Sequence, residues 1–213
     1  MEENFRKYLV EFIGTFFLVF TVGAVTLFGV SGIIAPVAIG FALMIMVYAG
    51  GHISGGHYNP AVSFSAFLSG ALEKGKLLPY WIAQILGAIM AVFFIRSLTL
   101  EFVPDFSYLY SPEQLIIGEF LFTFALCYVV LNTAVSKANS DKGFYGLAIG
   151  STVTVGALSV GGIICLGAFN PAVAFGLGLL KCSCWAYVGI TVFANLIAAV
   201  MAAYTYRLIS GTK

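Results

Sequence analysis

Charge is what this sequence lacks most: Asp, Glu, Lys and Arg together supply 9% of its 213 residues, while 61% are hydrophobic. Ordinary soluble domains carry about 25% charged residues. So few charges over so much apolar side chain exclude a water-soluble fold and put the surplus against lipid. Histidine is nearly absent. His52 and His57 are the two present, and neither stands at a spacing from cysteine or carboxylate that makes a metal or nucleophile site. Cys127, Cys165, Cys182 and Cys184 are scattered, and Cys182-x-Cys184 is too tight for an ordinary disulfide. They read as small apolar filler or free thiols. A net charge of +1 without a basic cluster argues against nucleic acid as a partner. With no nucleophile–base set, metal cluster or phosphate loop, an enzyme reading has no support, and no cofactor is expected.

What is present is long apolar runs. A spanning helix needs about 20 apolar residues, and six such segments occur, near 8–30, 32–50, 78–98, 112–135, 144–161 and 185–209. The first is too long for the apolar core of a signal peptide and carries Glu11, so it reads as a retained helix. Two more apolar pieces, 59–68 and 170–180, are too short to cross. Each starts Asn-Pro, a helix-start signal, because proline fits the first turn, where no donor is needed. Short helices among long ones predict re-entrant half-helices. Such broken backbone survives at membrane depth where it is buried in protein or lines a water-filled cavity.

Basic residues predict the orientation. With the N-terminus cytoplasmic, Arg6, Lys7, Lys74, Lys76, Lys137, Lys142, Arg207 and Lys213 fall inside, and Arg96 and Lys181 fall outside with Glu101, Asp105 and Glu113. That is the asymmetry expected of cytoplasmic loops, so both termini are expected in the cytoplasm and Ser107 outside. The expected tails are short, about seven residues before the first helix, which leaves little for tail gating and fits a prokaryotic cell membrane.

The chain also repeats itself. Asn59-Pro-Ala-Val-Ser-Phe64 returns as Asn170-Pro-Ala-Val-Ala-Phe175 at an offset of 111, and the same offset carries Gln84 to Asn195, Gly87 to Ala198 and Ala91 to Ala202. Glu11-Phe-Ile-Gly-Thr15 faces Glu119-Phe-Leu-Phe-Thr123, and Ala38-Ile-Gly40 faces Ala148-Ile-Gly150. Three spanning helices per half make the second half enter from the opposite side. The expectation is one channel domain over 1–213, with inverted repeats of about 1–105 and 106–213 and a functional site near the midplane. Gly14, Gly40, Gly87, Gly150, Ala148 and Ala198 allow close helix contact. Trp81 and Trp185, near segment starts, read as interfacial anchors.

The two Asn-Pro-Ala motifs, the run Gly51-His-Ile-Ser-Gly-Gly-His-Tyr58 and the glutamate early in each half resemble the aquaporin, or major intrinsic protein, family over the whole chain. The resemblance implies an all-α membrane protein of six transmembrane helices plus two re-entrant half-helices, and a homotetramer with one pore per subunit. It implies a passive channel for water or small uncharged solutes such as glycerol, ammonia or hydrogen peroxide. Asn59, Pro60, Ala61, Asn170, Pro171 and Ala172 form its central motifs. Two half-helices meeting by their N-termini put two positive dipole ends at one point. The asparagine amides there turn each passing water so that a proton wire is broken and cations are repelled. By resemblance, Glu11 and Glu119 brace the two re-entrant loops, and His57 hydrogen-bonds within the first of them.

The family's usual Arg after the second motif is replaced by Val173. Its companions at the outer constriction map to Gly167, Leu158 and Ile39, though one gap before Gly161-Gly162 would move Leu158 to Ala157 or Ser159. A ring of Ile, Leu, Gly and Val has no side-chain donor and no fixed charge, so it predicts relaxed selectivity toward less polar solutes. Inverted repeats with broken helices also build secondary transporters. Such a transporter needs a coupling-ion site, for which the spanning segments offer only the two glutamates. A membrane scaffold with a closed pore is the third reading.

Overall fold

The computed structural model describes residues 2–30, 32–99, 111–139, 142–161, 163–164 and 167–211. Those residues are helical or loop, with no strand among them. In order they are α1 (Glu2–Leu27), α2 (Ile34–Ser54), α3 (Pro60–Leu68), α4 (Leu77–Leu98), α5 (Pro112–Val130, continued by a π-turn over Leu131–Val135), α6 (Tyr145–Ser159), α7 (Pro171–Leu179) and α8 (Trp185–Ser210). Cys165, Glu101, Asp105, Ser107, Lys213 and the expected repeat boundary lie outside the described residues.

Five of these helices are long and apolar enough to cross a membrane. The sixth expected span, α6, has 15 residues, or about 22 Å, and Val160 and Gly161 prolong it through bonds to Gly156 and Ala157 carbonyls. α1 starts at Glu2, six residues before the expected start, because Glu2 and Glu3 suit a helix N-terminus and Glu3 pairs with Lys7 one turn on. α2 runs on to Ser54 and stops at Gly55, whose φ of 91° gives the left-handed cap. α5 begins with a capping box, Ser111 and Gln114 bonding each other's backbone N–H, and with Pro112 in its first turn.

The packing follows the sequence repeat. α1 lies along α4 as α5 lies along α8, and α2 packs against α6 between the two halves. At that crossing a Cβ built on Gly40 would sit 2.6 Å from the Gly150 carbonyl, and one on Gly150 would sit 2.5 Å from the Gly40 carbonyl. The two backbones therefore touch where any side chain would separate them. Large apolar side chains such as Phe41, Phe93, Leu121 and Phe193 face outward, as lipid requires. α3 and α7 have nine residues each, about 14 Å against a hydrocarbon core of roughly 30 Å. Each is half a crossing.

Trp81 departs from the anchor reading. Its indole N–H donates to the Pro60 carbonyl at 2.9 Å, and its ring packs edge-on to Phe64. A carbonyl in the first turn of a short buried helix offers a partner that outcompetes the membrane surface. Trp185, exposed and packed on Phe175, keeps the position expected of an anchor.

Candidate pore

Two loops bring the chain to the middle of the molecule, and two buried glutamates hold them. Glu11, fully buried in α1, takes the backbone N–H of His57 at 2.9 Å and of Tyr58 at 2.7 Å, the Ser54 hydroxyl at 2.7 Å and the Gln84 amide at 2.8 Å. Glu119, equally buried in α5, takes the N–H of Ala168 at 2.7 Å and of Phe169 at 2.8 Å, and the Asn195 amide at 2.8 Å. Each carboxylate receives only donors, the pattern an ionised carboxylate satisfies. Gln84 and Asn195, matched by the repeat offset, do the same work in the two halves.

Those bonds hold a strained turn. Tyr58 and Phe169 both sit at φ 48°, the left-handed region that costs a side-chain-bearing residue about 1–2 kcal/mol. Hydrogen bonds to charged groups contribute about 1.5–3 kcal/mol each, so two per loop outweigh the strain. The turn delivers Asn59 and Asn170 in extended conformations, φ −157° and −160°, as N-caps of α3 and α7. Asn59 Oδ1 accepts from Ala61 N at 2.9 Å. Asn170 Oδ1 accepts from Ala172 N at 2.9 Å and Val173 N at 3.4 Å.

The two amides then cross. Asn59 Nδ2 donates to the Phe169 carbonyl at 2.8 Å, and Asn170 Nδ2 donates to the Tyr58 carbonyl at 2.9 Å. Each half-helix N-terminus is thus tied to the other's loop, and two positive dipole ends meet. An amide nitrogen carries two hydrogens. One is used across the junction. The second is left for whatever occupies the cavity that both asparagines line. Pro60, Ala61, Pro171 and Ala172 are buried behind them as the first turns of the half-helices.

That cavity has a volume of about 420 Å³. Its walls are mostly branched aliphatic side chains, among them Leu18, Val22, Leu43, Leu126 and Ile149. The four residues of the expected outer ring, Ile39, Leu158, Gly167 and Val173, all line it. Ala157 lines it too, whereas Ser159 does not. Leu158 is 48% exposed and stands at the mouth, while Val173 is buried in α7. A Cβ on Gly167 would fall 2.2 Å from Cζ of the Phe169 ring, so that ring occupies the place of a side chain there.

His57 also borders the cavity. Its Nδ1 lies 3.1 Å from Ser63 Oγ, which accepts from Gln84 Nε2 at 2.8 Å. The Ser63 hydroxyl has a second lone pair and a hydrogen besides, so it meets either tautomer of the imidazole, accepting from Nδ1–H or donating to a bare Nδ1. His52 lies in the last turn of α2 beside a second cavity. Among the described residues no three His, Cys, Asp or Glu side chains gather as for a metal ion. Cys127 and Cys182 are buried free thiols and Cys184 an exposed one.

The expectation from sequence did not include Tyr58 and Phe169 as turning residues. The signal was available: the offset that pairs Gln84 with Asn195 pairs these two aromatics as well.

Comparison with known proteins agrees with this geometry. The family model described as "Major intrinsic protein" matches residues 1–206. Glycerol uptake facilitator protein-like 6 of Lactiplantibacillus plantarum is 34% identical over 216 residues, covering 95% of this chain and 97% of that protein. Aquaporin AqpM of Methanothermobacter thermautotrophicus is 32% identical over 245 residues, 96% of this chain and 97% of the relative. Aquaporin TIP1-1 of Zea mays is 37% identical over 180 residues, 83% of this chain and 71% of the relative. Among solved structures, the aquaglyceroporin from Plasmodium falciparum superposes with a TM-score of 0.76 at 23% identity, covering 95% of both chains, a likeness of fold.

Proposed function

The chain belongs to the major intrinsic protein family, and on that premise we propose that it is a passive membrane channel for water and small uncharged solutes whose barrier to ions and protons is the Asn59–Asn170 junction. The observation that carries this reading is the crossed pair of amide bonds. It leaves one amide hydrogen on each asparagine for the pore, beside two converging helix N-termini. A water that gives its oxygen to these donors directs its hydrogens away along the file, which interrupts proton transfer, and cations meet positive ends.

Glu11 and Glu119 hold the loops so that carbonyls and amides stay aimed at the pore, and His57 serves the first loop from within. At the outer mouth Ile39, Leu158, Gly167 and Val173 form a ring without a side-chain donor or a fixed charge. Water loses hydrogen bonds there except to backbone carbonyls, whereas less polar solutes lose little. Glycerol, ammonia and hydrogen peroxide fit that ring on chemical grounds, and the names of the relatives lend glycerol and water particular weight. The two repeats make one channel domain. The face that carries the ends of α1 and α8 is the cytoplasmic one, as the basic residues there favour. The cell membrane is the site of action and a homotetramer the assembly, both by resemblance to the family.

Purified protein in lipid vesicles tests the reading. Stopped-flow swelling against water, glycerol, urea and ammonia should show permeability above empty lipid that does not saturate. Saturable uptake that depends on an ion gradient would replace the channel by a secondary transporter.

A further inference from the structure

We propose that the width limit of this pore lies at an inner neck between His57 and Val130, on the opposite side of the asparagines from the outer ring, and that Val130 sets it. The proposal rests on the channel reading above. The 420 Å³ cavity runs unbroken from Gly32 and Pro36 at the outer mouth, past Ile39, Gly167 and Val173, to Asn59 and Asn170. A second cavity, of about 620 Å³, opens on the basic face among Lys7, His52, Glu73 and Lys76. His57 and Val130 are the two residues that line both cavities. His57 and Val130 therefore stand where the two cavities adjoin.

The two walls of the neck are unlike. His57 cannot swing aside. Its Nδ1 is held by Ser63, its ring leans on Tyr80 with centroids 5.3 Å apart, and its Nε2 edge fills the space that a Cβ on Gly55 would need, 2.9 Å from where that atom would stand. Val130 is the last α-helical residue of α5, packed in the main apolar core. Directly after it the chain forms the π-turn, closed by Ser136 N–H to the Leu131 carbonyl at 2.9 Å. Bonding at i→i+5 brings Val135 back over Val130, so Val130, Ala134 and Val135 all line the inner cavity. Asn132 and Thr133 fasten this register through the Tyr128 and Val129 carbonyls at 2.8 and 2.7 Å. One wall is a fixed imidazole and the other is the isopropyl group of Val130. The neck favours slim neutral solutes that are polar on the imidazole side, and the valine methyls decide how broad they can be.

Vesicle permeabilities to urea, glycerol and erythritol, each divided by the water permeability of the same preparation, test this without depending on protein yield. Val130→Ala should raise the erythritol ratio several-fold, Val130→Leu should lower the glycerol ratio, and Val173→Ala should move both less. If the parent conducts but neither Val130 variant moves the ratios while Val173→Ala raises the one for erythritol, the width limit is at the outer ring and the proposal fails alone. A parent without permeability to any of these molecules overturns the channel reading and this inference together.

Discussion

The loop that enters α3 and the loop that enters α7 are built alike as far as the asparagines. Each has a buried glutamate on its backbone N–H groups, an amide side chain on that glutamate, an aromatic residue at φ 48° and an Asn N-cap tied to the other loop. They diverge on the pore side. His57 and Ser63 of the first are matched at the same offset by Ala168 and Ala174 of the second. Among the described residues Glu11 holds four donors and Glu119 three, the place that matches Ser54 being Cys165, outside them. The part the halves share builds the junction. The part they do not share makes one end of the pore polar and fixed, the other apolar and open.

Removing the glutamates should break the shared part and have the largest effect. A buried donor left without a partner costs about 1–3 kcal/mol. Among the described residues Glu11→Ala orphans four donors and Glu119→Ala three, so both should lose most water flux and thermal stability in detergent. A variant that kept the parent's flux and unfolding temperature would show that its glutamate does not hold the loop.

Changing the junction should alter selectivity before stability. Asn59→Asp and Asn170→Asp keep the acceptor for the N-cap bond but replace the pore donor by negative charge between two helix N-termini. Cation current across planar bilayers should appear in both variants, because the halves contribute equally there. Current at the parent's level in both would remove the asparagines from the ion barrier.

The asymmetric ends should respond more gently. Val173→Arg restores a fixed cation and several donors at the outer ring. The glycerol-to-water permeability ratio should fall roughly tenfold, as a barrier difference of about 1.4 kcal/mol gives, with water flux held or raised. A proportional fall of both would show that Val173 does not discriminate. Ser63→Ala, the smallest change, removes the hydroxyl between Gln84 and His57 and should cost roughly 1–2 kcal/mol. A lowered unfolding temperature with water flux largely kept is expected. Loss of flux equal to that of the Glu11 variant would make His57 part of the junction.

Most of the scaffold was legible in the sequence because it rests on strong local signals. Asn-Pro starts a helix wherever it is buried, and the half-helices begin at Pro60 and Pro171 as expected. The repeat offset brought Gln84 and Asn195 to equivalent places before any contact was seen. What stayed hidden depends on tertiary packing. Left-handed backbone usually signals itself by Gly or Asn, so Tyr58 and Phe169 gave no local sign. The π-turn has an ordinary helical sequence, Leu-Asn-Thr-Ala-Val, and its register is fixed by side chains reaching back to carbonyls. Trp81 resembled an anchor because its partner, the Pro60 carbonyl, is 21 residues away. For the outer ring, counting from the second motif yields candidates. The placement of Leu158 at an exposed mouth follows from where α6 ends, which counting does not reveal.

Water and proton fluxes measured on the same vesicles bear most directly on the Asn59–Asn170 junction. Reconstituted protein with a pH-sensitive dye inside should raise osmotic water permeability well above that of empty lipid while proton permeability stays at the empty-lipid level. A proton flux that rises in step with the water flux would contradict a junction that turns each water molecule. So would the absence of any gain in permeability to water or small neutral solutes.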